Sequence, residues 1–331
     1  IARLCGLGID VIVSDHHLPG GPLPQCLAIL NPKQPGCPSP DKDFAAVGIA
    51  FKLALALCDA MGVNDAIAWR QLDLVALATV ADLAPLRGEN RILVRYGLKL
   101  LCETTRPGLR ALMRSSGCDG KAITAGICGF TLAPRLNAVG RMDSAMLGVE
   151  LLLTADQSHA NDLAHRCEEL NRRRQELDQR TLTDALHQVD ALDLDEHVGL
   201  VLAGDGWHPG VIGIVASRIV EQVARPTFVI ALDGDTGKGS GRSIGSFDLH
   251  KGLMACGAHL ERYGGHRAAA GLTVRREKLD AFREAFNAEA RAQLAVEDCV
   301  HERRLDLQVE GDDLTDDLAR LLEHCEPFGL G

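Results

Sequence analysis

Between Val149 and Val198 the chain carries neither glycine nor proline, and no other feature restricts its fold as strongly. With no helix breaker available, and with Leu163, Leu170 and Leu177 recurring every seven residues among charges such as "NRRRQELDQR", this segment reads as a long, mostly exposed connecting helix. It separates two regions of different texture. A chain of 331 residues, 46% of them hydrophobic, can bury a core on each side of such a connector. The expected fold class is therefore α/β, with two α/β domains joined by a long helix.

Ahead of the connector, Ile9 to Val13 reads as a short buried strand, bounded by Gly8 before it and Pro19-Gly20-Gly21 after it. A Pro-rich loop follows, "AILNPKQPGCPSPDKD", and then "FAAVGIAFKLALALCDAMG", an Ala/Leu-rich helix expected to be buried on most sides. The segment "RQLDLVALATVADLAPLRGENR" suits a second buried helix that stops before Pro85 and leaves Asp82 near its end. After the connector, "VGLVLAGDGWHPGVIGIVASRIVEQVARPTFVIALDGDTGKGSGRSIG" alternates strand, helix, strand, turn, strand. From about Val300 the chain turns acidic and ends on "CEPFGLG", which reads as the opening of a further unit. The first residues read as the middle of a helix leading into a strand, so the expectation is a fragment at both ends.

Several function classes are excluded. No apolar run reaches membrane-spanning length and no charged-then-apolar leader opens the chain, which points to a cytoplasmic protein with no membrane partner. The eleven cysteines are odd in number, and even the nearest pair, Cys118 and Cys128, lies too far apart for a zinc knuckle, so they are expected to be reduced, mostly buried thiols. A net charge of −10 rules out a surface that coats polyanions generally, and any nucleic acid must be gripped by a local basic channel. Aromatic residues make up only 4%, so base-stacking platforms are scarce.

Chemistry is concentrated in a few short stretches. "SDHHLPG" places Asp15, His16 and His17 at a strand's carboxyl end, where ligands gather in open α/β sheets. One imidazole can ligate a metal while its neighbour meets a substrate and the acid fixes ring orientation. With Asp82 these are hard or borderline ligands suited to Mn²⁺ or Mg²⁺. Two or three ligands do not make a two-metal centre, which needs more carboxylates. For Asp82 alone a loop carboxylate without a role is an equal alternative. In "PRLNAVGRM", Arg135, Asn137 and Arg141 could meet phosphate oxygens, although surface salt bridging is the plainer reading of the arginines. In "GKGSGRSIG", four glycines with Ser240 and Arg242 could bring backbone N–H groups, a hydroxyl and a guanidinium onto an anion, or form an ordinary Gly-rich hairpin. In "YGGHRAAAG", Gly264, Gly265 and His266 could meet a phosphate or form a turn with a satisfied histidine. In "GDGWHPGVIG", His208 beside Trp207 reads as packing ahead of a helix that starts near Val211.

Taken in order, "SDHHLPG", "NPKQPGCP", "LATVADLAPLRGENR", "PRLNAVGRM", "GWHPGVIGIVASR", "GKGSGRS" and "YGGHRAAAGLT" resemble the DHH phosphoesterase superfamily, in particular its bacterial single-strand-specific 5′-to-3′ DNA exonucleases. The resemblance runs the length of the chain. It implies the C-terminal part of a DHH domain over residues 1–154, the connecting helix over 155–196, a DHH-associated domain over 197–299 that binds phosphate or nucleic acid, and the start of a β-barrel oligonucleotide-binding domain over 300–331, with the active site in the cleft between the two main domains. His16 and Asp82 would be metal ligands, Asp15 would support them, and His17 would face the scissile phosphate. Ser240 and Arg242, with Arg141, would hold a 5′-terminal phosphate. The family's first two carboxylate motifs are not in this sequence, so the two-metal Mn²⁺ or Mg²⁺ site would be completed from upstream and the chain as it stands is expected to be nearly inactive. The implied activity is metal-dependent release of 5′-mononucleotides from single-stranded DNA in repair and recombination. The implied partners are single-stranded DNA, a helicase and a single-strand-binding protein, with the enzyme itself a monomer. The alternatives are a relative cleaving short RNA or cyclic dinucleotides, disfavoured by the long helix and the "CEPFGLG" junction, and a catalytically dead DNA-binding scaffold, disfavoured by the intact His16, His17 and Asp82.

Overall fold

The computed structural model describes residues 1–301 and 305–330 and resolves two compact units, Ile1–Leu170 with the segment from Val309 onward, and Asn171–Gln308. After a short helical turn over Ala2–Gly6, the first unit forms two short parallel strands, β1 (Ile12–Ser14) and β2 (Ala28–Leu30), with Ile12 opposite Ala28 and Ser14 opposite Leu30. The strand expected over Ile9–Val13 is thus shorter and shifted. Period-2 alternation turns Val11 and Val13 partly inward and leaves Ile12 exposed, so β-branched composition does not become burial here.

Helix α1 (Ala46–Met61) ends where Gly62 takes a left-handed φ of +63°. It buries Ile49, Phe51 and Cys58 but leaves Leu57 and Met61 in solvent, which corrects the expectation of burial on most sides. Its Ala/Leu composition is uniform, yet only one face has a partner. Helix α2 (Leu72–Ala81) is buried nearly all round, as its sequence requires, and packs along α3 (Gly88–Cys102). The notch for that packing is Gly97, where a Cβ would intrude on the Leu72 carbonyl oxygen and come 2.6 Å from the Ala76 Cβ. Asp73, buried in α2, is compensated by Thr104 Oγ1 at 2.9 Å and Arg106 Nε at 3.0 Å. Helices α4 (Pro107–Ser115), α5 (Ala133–Met142) and α6 (Met146–Leu153) close this core around Leu109, Leu112, Leu132 and Leu151.

The glycine- and proline-free segment forms α7 (Gln157–Asp190), 34 residues and about 50 Å long at 1.5 Å per residue. It is less exposed than its charges suggest. Leu163, Cys167 and Leu170 belong to the core of the first unit, and Leu182, Ala185 and Val189 to a core of the second. By their contacts the two compact units divide inside the helix, near residue 170. Three of its polar residues, Asn171, Asp178 and Thr181, are buried. Asp178 lies 3.2 Å from Arg218 and 3.7 Å from Arg174, the compensation a buried charge needs.

The second unit is a five-stranded sheet built from β3 (Leu200–Asp205), β4 (Thr227–Asp233), β5 (Thr236–Arg242), β6 (Leu260–Gly265) and β7 (Ala269–Arg275), in the order β3-β4-β5-β7-β6. The β3-β4 pair is parallel and the others antiparallel. The parallel pair is joined through the crossover helix α8 (Ile212–Val223), which packs on one face with the second half of α7 through Val215, Ile219, Leu182 and Val229. On the other face, α9 (Leu249–Ala255) and α10 (Leu279–Gln293) cover Phe228, Ile230 and Val274. Four of the eight phenylalanines, Phe228, Phe247, Phe282 and Phe286, meet there with ring centroids 5.0–5.9 Å apart.

Among the described residues beyond Val309 there is no strand, and Thr315 caps helix α11 (Asp316–His324) by accepting from the Leu318 amide at 3.2 Å. A threonine followed by two aspartates and then Leu318, Leu321 and Leu322 is a helix-start signal. The residues after α11 return to the first unit: Leu86 donates to the Leu330 carbonyl at 2.7 Å and Arg91 to that of Pro327 at 3.0 Å. All eleven cysteines are free, but only Cys58, Cys118, Cys128, Cys167 and Cys256 are buried. Among the described residues no helix is long and apolar enough to cross a membrane.

Candidate metal centre and anion sites

The turn that follows β1 is organised by one carboxylate. The Asp15 amide continues the ladder by donating to the Leu30 carbonyl at 3.1 Å. Its Oδ1 accepts from the His16 amide at 2.7 Å, the His17 amide at 3.2 Å and the His17 ring Nδ1 at 2.8 Å. Burial works to raise the Asp15 carboxyl, but the bonds from the His17 ring and from the two amides outweigh it and hold the group below its usual range. Asp15 thus orients the His17 ring and holds the backbone of His16, and with Nδ1 of His17 turned to it, Nε2 of that ring is the atom left for a ligand. The loop is pinned from the other side by Asn31, only 5% exposed, whose Nδ2 donates to the His17 carbonyl at 2.8 Å and whose Oδ1 accepts from the Lys33 amide at 2.9 Å.

Asp82 arrives from a different element, as the residue that ends α2. The chain leaves it through Leu83 at φ +55°, a conformation that costs a non-glycine residue about 1 kcal/mol or more. Asp82 Oδ2 lies 3.4 Å from Nδ1 of His16, whose side chain is 17% exposed against 42% for Asp82. Neighbouring ligands on an octahedral ion at about 2.1 Å stand about 3 Å apart, so the pair is spaced as two ligands of one cation. A carboxylate at a helix C-terminus faces the negative end of the dipole, which a bound cation would relieve. Ligand atoms of Asp15, His16 and His17 lie within 4.8 Å of one another. Oxygen and imidazole donors without thiolate fit Mn²⁺ or Mg²⁺. His16 and Asp82, with Asp15 behind them, suffice for one ion, and a two-ion centre needs more carboxylates than these.

The motifs expected to bind phosphate divide. Arg135 is bound within the first unit, 16% exposed, with Nε 2.5 Å from Glu168 Oε2 on α7 and Nη1 donating to the Thr131 carbonyl at 2.6 Å. That geometry is the salt-bridge alternative of the sequence reading. Asn137 and Arg141 are exposed one turn apart on α5.

"GKGSGR" is not a loop but the strand β5, in the middle of a sheet. Its backbone amides belong to the ladders with β4 and β7, so they do not converge on an anion as expected. The glycines have another cause. Gly237, Gly239 and Gly241 face the core: a Cβ would come 2.7 Å from Ile230 at the first and 2.7 Å from Leu272 at the second, and would intrude on the Phe228 ring at the third. Lys238, Ser240 and Arg242 alternate onto the opposite face. There Arg242 Nη1 donates to Ser240 Oγ at 3.2 Å, and the first turn of α8 comes so close that a Cβ at Gly213 would lie 3.0 Å from Ser240 Oγ and 3.2 Å from Arg242 Nη2. The hydroxyl and guanidinium do meet, beside a helix start.

In "YGGHR", Gly265 has φ +150° and a Cβ would come 2.5 Å from the Ala269 carbonyl oxygen, so glycine is required to close the β6–β7 hairpin. The His266 amide donates to the same carbonyl at 2.8 Å. His208 accepts from the Gly210 amide through Nδ1 at 3.0 Å, and Trp207 is buried with Nε1 3.3 Å from Asp184, so this pair packs ahead of α8 as expected. Two groups escaped the sequence reading. Asn31 sits in "NPKQPG", where only its position after a strand hinted at a role. Lys238 was legible only if "GKGSGR" was read with period 2.

Two family descriptions match the chain: DHH family, N-terminal domain, over residues 1–79, and DHHA1 domain over residues 197–292. The chain is 41% identical over 326 residues to the single-stranded-DNA-specific exonuclease RecJ of Bacillus subtilis, covering 98% of this chain and 41% of that protein. It superposes on RecJ of Thermus thermophilus in complex with Mn²⁺ with a TM-score of 0.87 at 36% identity, covering 99% of this chain and 48% of that one, and on the Mg²⁺ complex with a TM-score of 0.83 at 36% identity, covering 97% and 48%. A further exonuclease RecJ structure bound to manganese matches with a TM-score of 0.75 at 35% identity, over 89% of this chain and 74% of that one. These matches define a DHH-family protein with its DHHA1 companion domain. Within that class the chain belongs to the RecJ family. It spans less than half the length of the Bacillus subtilis and Thermus thermophilus relatives.

Proposed function

We propose that the protein is a divalent-metal-dependent exonuclease that degrades single-stranded DNA from its 5′ end to mononucleotides. The observation that carries this reading is the 3.4 Å approach of His16 to Asp82 at a strand end where Asp15 binds the His17 ring and the His16 amide. Kinship with relatives named as single-stranded-DNA-specific exonucleases, and with RecJ structures solved with Mn²⁺ or Mg²⁺, supports the substrate and the ion.

His16 Nδ1 and Asp82 Oδ2 would hold the ion, which when bound supplies charge neutralisation at the reacting phosphate and a more acidic water. Asp15 keeps its carboxylate ionised and fixes the His17 ring through Nδ1. That leaves Nε2 of His17 toward the substrate, where, with the ring carrying its second proton, it would donate a hydrogen bond to a phosphate oxygen as charge builds there. Asn31 holds the backbone of the same residue, so the ring is positioned before substrate arrives. In the second unit Ser240 and Arg242 would bind the 5′-terminal phosphate, which fixes the end of the strand without reading a base.

The test is digestion of labelled oligonucleotides by the purified full-length protein with Mn²⁺. Single strands should be shortened from the 5′ end, while duplexes and cyclic dinucleotides remain intact. His16→Ala and Asp82→Ala should abolish turnover without lowering the melting temperature of the fold. Undiminished hydrolysis in either variant refutes the ligand assignment, and preferential cleavage of cyclic dinucleotides refutes the substrate.

A further inference from the structure

The face of the second unit's sheet that carries Lys238, Ser240 and Arg242 continues across β7 and β6. Residues paired across antiparallel strands share a face, so the register defines successive rows on it. Lys238, Thr273 and Arg262 form one row, and Ser240, Gly271 and Gly264 form the next. The second row has no side chain beyond Ser240. A Cβ at Gly264 would meet nothing within 4 Å, and one at Gly271 would meet only the Gly239 carbonyl oxygen at 3.8 Å. The row is therefore a trough with a backbone floor, open to solvent at Gly264 and Gly271. With strands about 4.8 Å apart, it runs about 10 Å from Ser240 to Gly264.

Its rim is cationic. Lys238 and Arg262 are exposed, and among the described residues neither side chain makes an ion pair or hydrogen bond. The nearest acid along β6, Glu261, is matched by Arg275 at 2.8 Å, so it does not neutralise them. Lys238, Ser240, Arg262, Gly271 and Thr273 line a single cavity of about 370 Å³. A floor of bare backbone admits close approach of a chain, two unmatched cations favour phosphate, and Thr273 Oγ1 between them adds a donor. Pro209, Ile212, Tyr263 and Leu272 complete the lining and give sugar rings an apolar surface beside the cations.

We propose that this trough is a track for the sugar-phosphate backbone of a single strand, with Lys238 and Arg262 as its phosphate contacts. It rests on the reading of the protein as a single-strand nuclease, and extends the end site at Ser240 and Arg242 into a path.

The experiment is equilibrium binding of fluorescent oligo(dT) to the full-length protein under chelator, across a salt series. Wild type is compared with Lys238→Ala/Arg262→Ala and, separately, with Gly271→Val. Two lost phosphate contacts should lower the slope of log K against log salt by about 1.4, since each contact to a single strand contributes about 0.7. Gly271→Val should weaken binding with both cations still in place, because it fills the floor. Wild-type binding with neither effect overturns the track and leaves the nuclease reading standing. Absence of single-strand binding by the wild type overturns both.

Discussion

Replacing Gly97 by alanine tests whether the packing of α2 on α3 sets the position of Asp82. The added methyl would overlap the Leu72 carbonyl oxygen and lie 2.6 Å from the Ala76 Cβ, against the roughly 3.5–4.0 Å that carbon atoms prefer. Both obstacles belong to α2, and one is backbone, so no rotamer change relieves them. The helices must separate by about an ångström. Overpacking of this kind costs about 1–3 kcal/mol, here near the upper end, while alanine's better helix propensity returns up to about 1 kcal/mol. The net loss is about 1–2 kcal/mol, or a fall of about 2–8 °C in the melting temperature of a domain this size. Because α2 ends on Asp82, the same displacement should open the 3.4 Å approach to His16 and weaken Mn²⁺ binding. Thermal unfolding and calorimetric Mn²⁺ titration of the full-length protein read the two effects. Gly148→Ala is the control: it lies inside α6 with nothing within 4 Å of a Cβ, and should be neutral or stabilising. A Gly97→Ala protein that melts at or above wild type and binds Mn²⁺ equally well refutes the argument.

Three further outcomes follow from the geometry. Asn31→Ala should weaken Mn²⁺ affinity by about tenfold or more, as loss of a group that orients ligand residues does, and unchanged affinity in the titration would show that the His17 carbonyl needs no anchor. Arg242→Ala should slow digestion of 5′-phosphorylated strands about tenfold to a hundredfold more than that of 5′-hydroxyl strands, from the loss of one charge-assisted bond of about 1.5–3 kcal/mol, and equal losses in kcat/KM would show that Arg242 does not read the end. Burial, with Cys102 and Cys118 nearby, pushes the Cys128 thiol up to about 12, and burial with Glu168 pushes Cys167 to about 11. Only the thiolate reacts, and a raised value keeps these groups protonated until strongly alkaline pH, so mass spectrometry after alkylation at about pH 8 should find the exposed Cys102 and Cys325 modified and Cys128 and Cys167 spared. Early modification of Cys128 would mean that the core of the first unit opens readily.

What could be read from the sequence was what periodicity and breakers control. Helix α7 follows from the absence of glycine and proline, and the alternation of the second unit from its apolar runs. The cluster at Asp15, His16 and His17 was legible because strand ends collect ligands. Its link to Asp82 was not derivable from spacing, since the two sites are brought together only when α2 packs near the β1 turn. The reading failed where one residue type has two physical causes. Glycines in "GKGSGR" suggested a phosphate loop, whereas Phe228 and Leu272 exclude side chains there. For Arg135 salt bridging was the plainer reading, but its partner Glu168, 33 residues away on another helix, could not be named from spacing. Leucines in α1 suggested burial, but burial needs a neighbour, which composition does not supply.

Strand β5 divides its duties by parity. Odd positions, Gly237, Gly239 and Gly241, answer to the hydrophobic core and admit no substitution without moving an aromatic or branched side chain. Even positions point to the opposite face, where Lys238 is exposed and Ser240 and Arg242 lie partly buried beside α8, and make no demand on that core. Variation can therefore act on the even positions alone, changing charge or hydrogen-bonding pattern while the fold is held constant. A strand built this way makes its ligand preference free to drift or to be redesigned, one outward residue at a time, on an unchanging support.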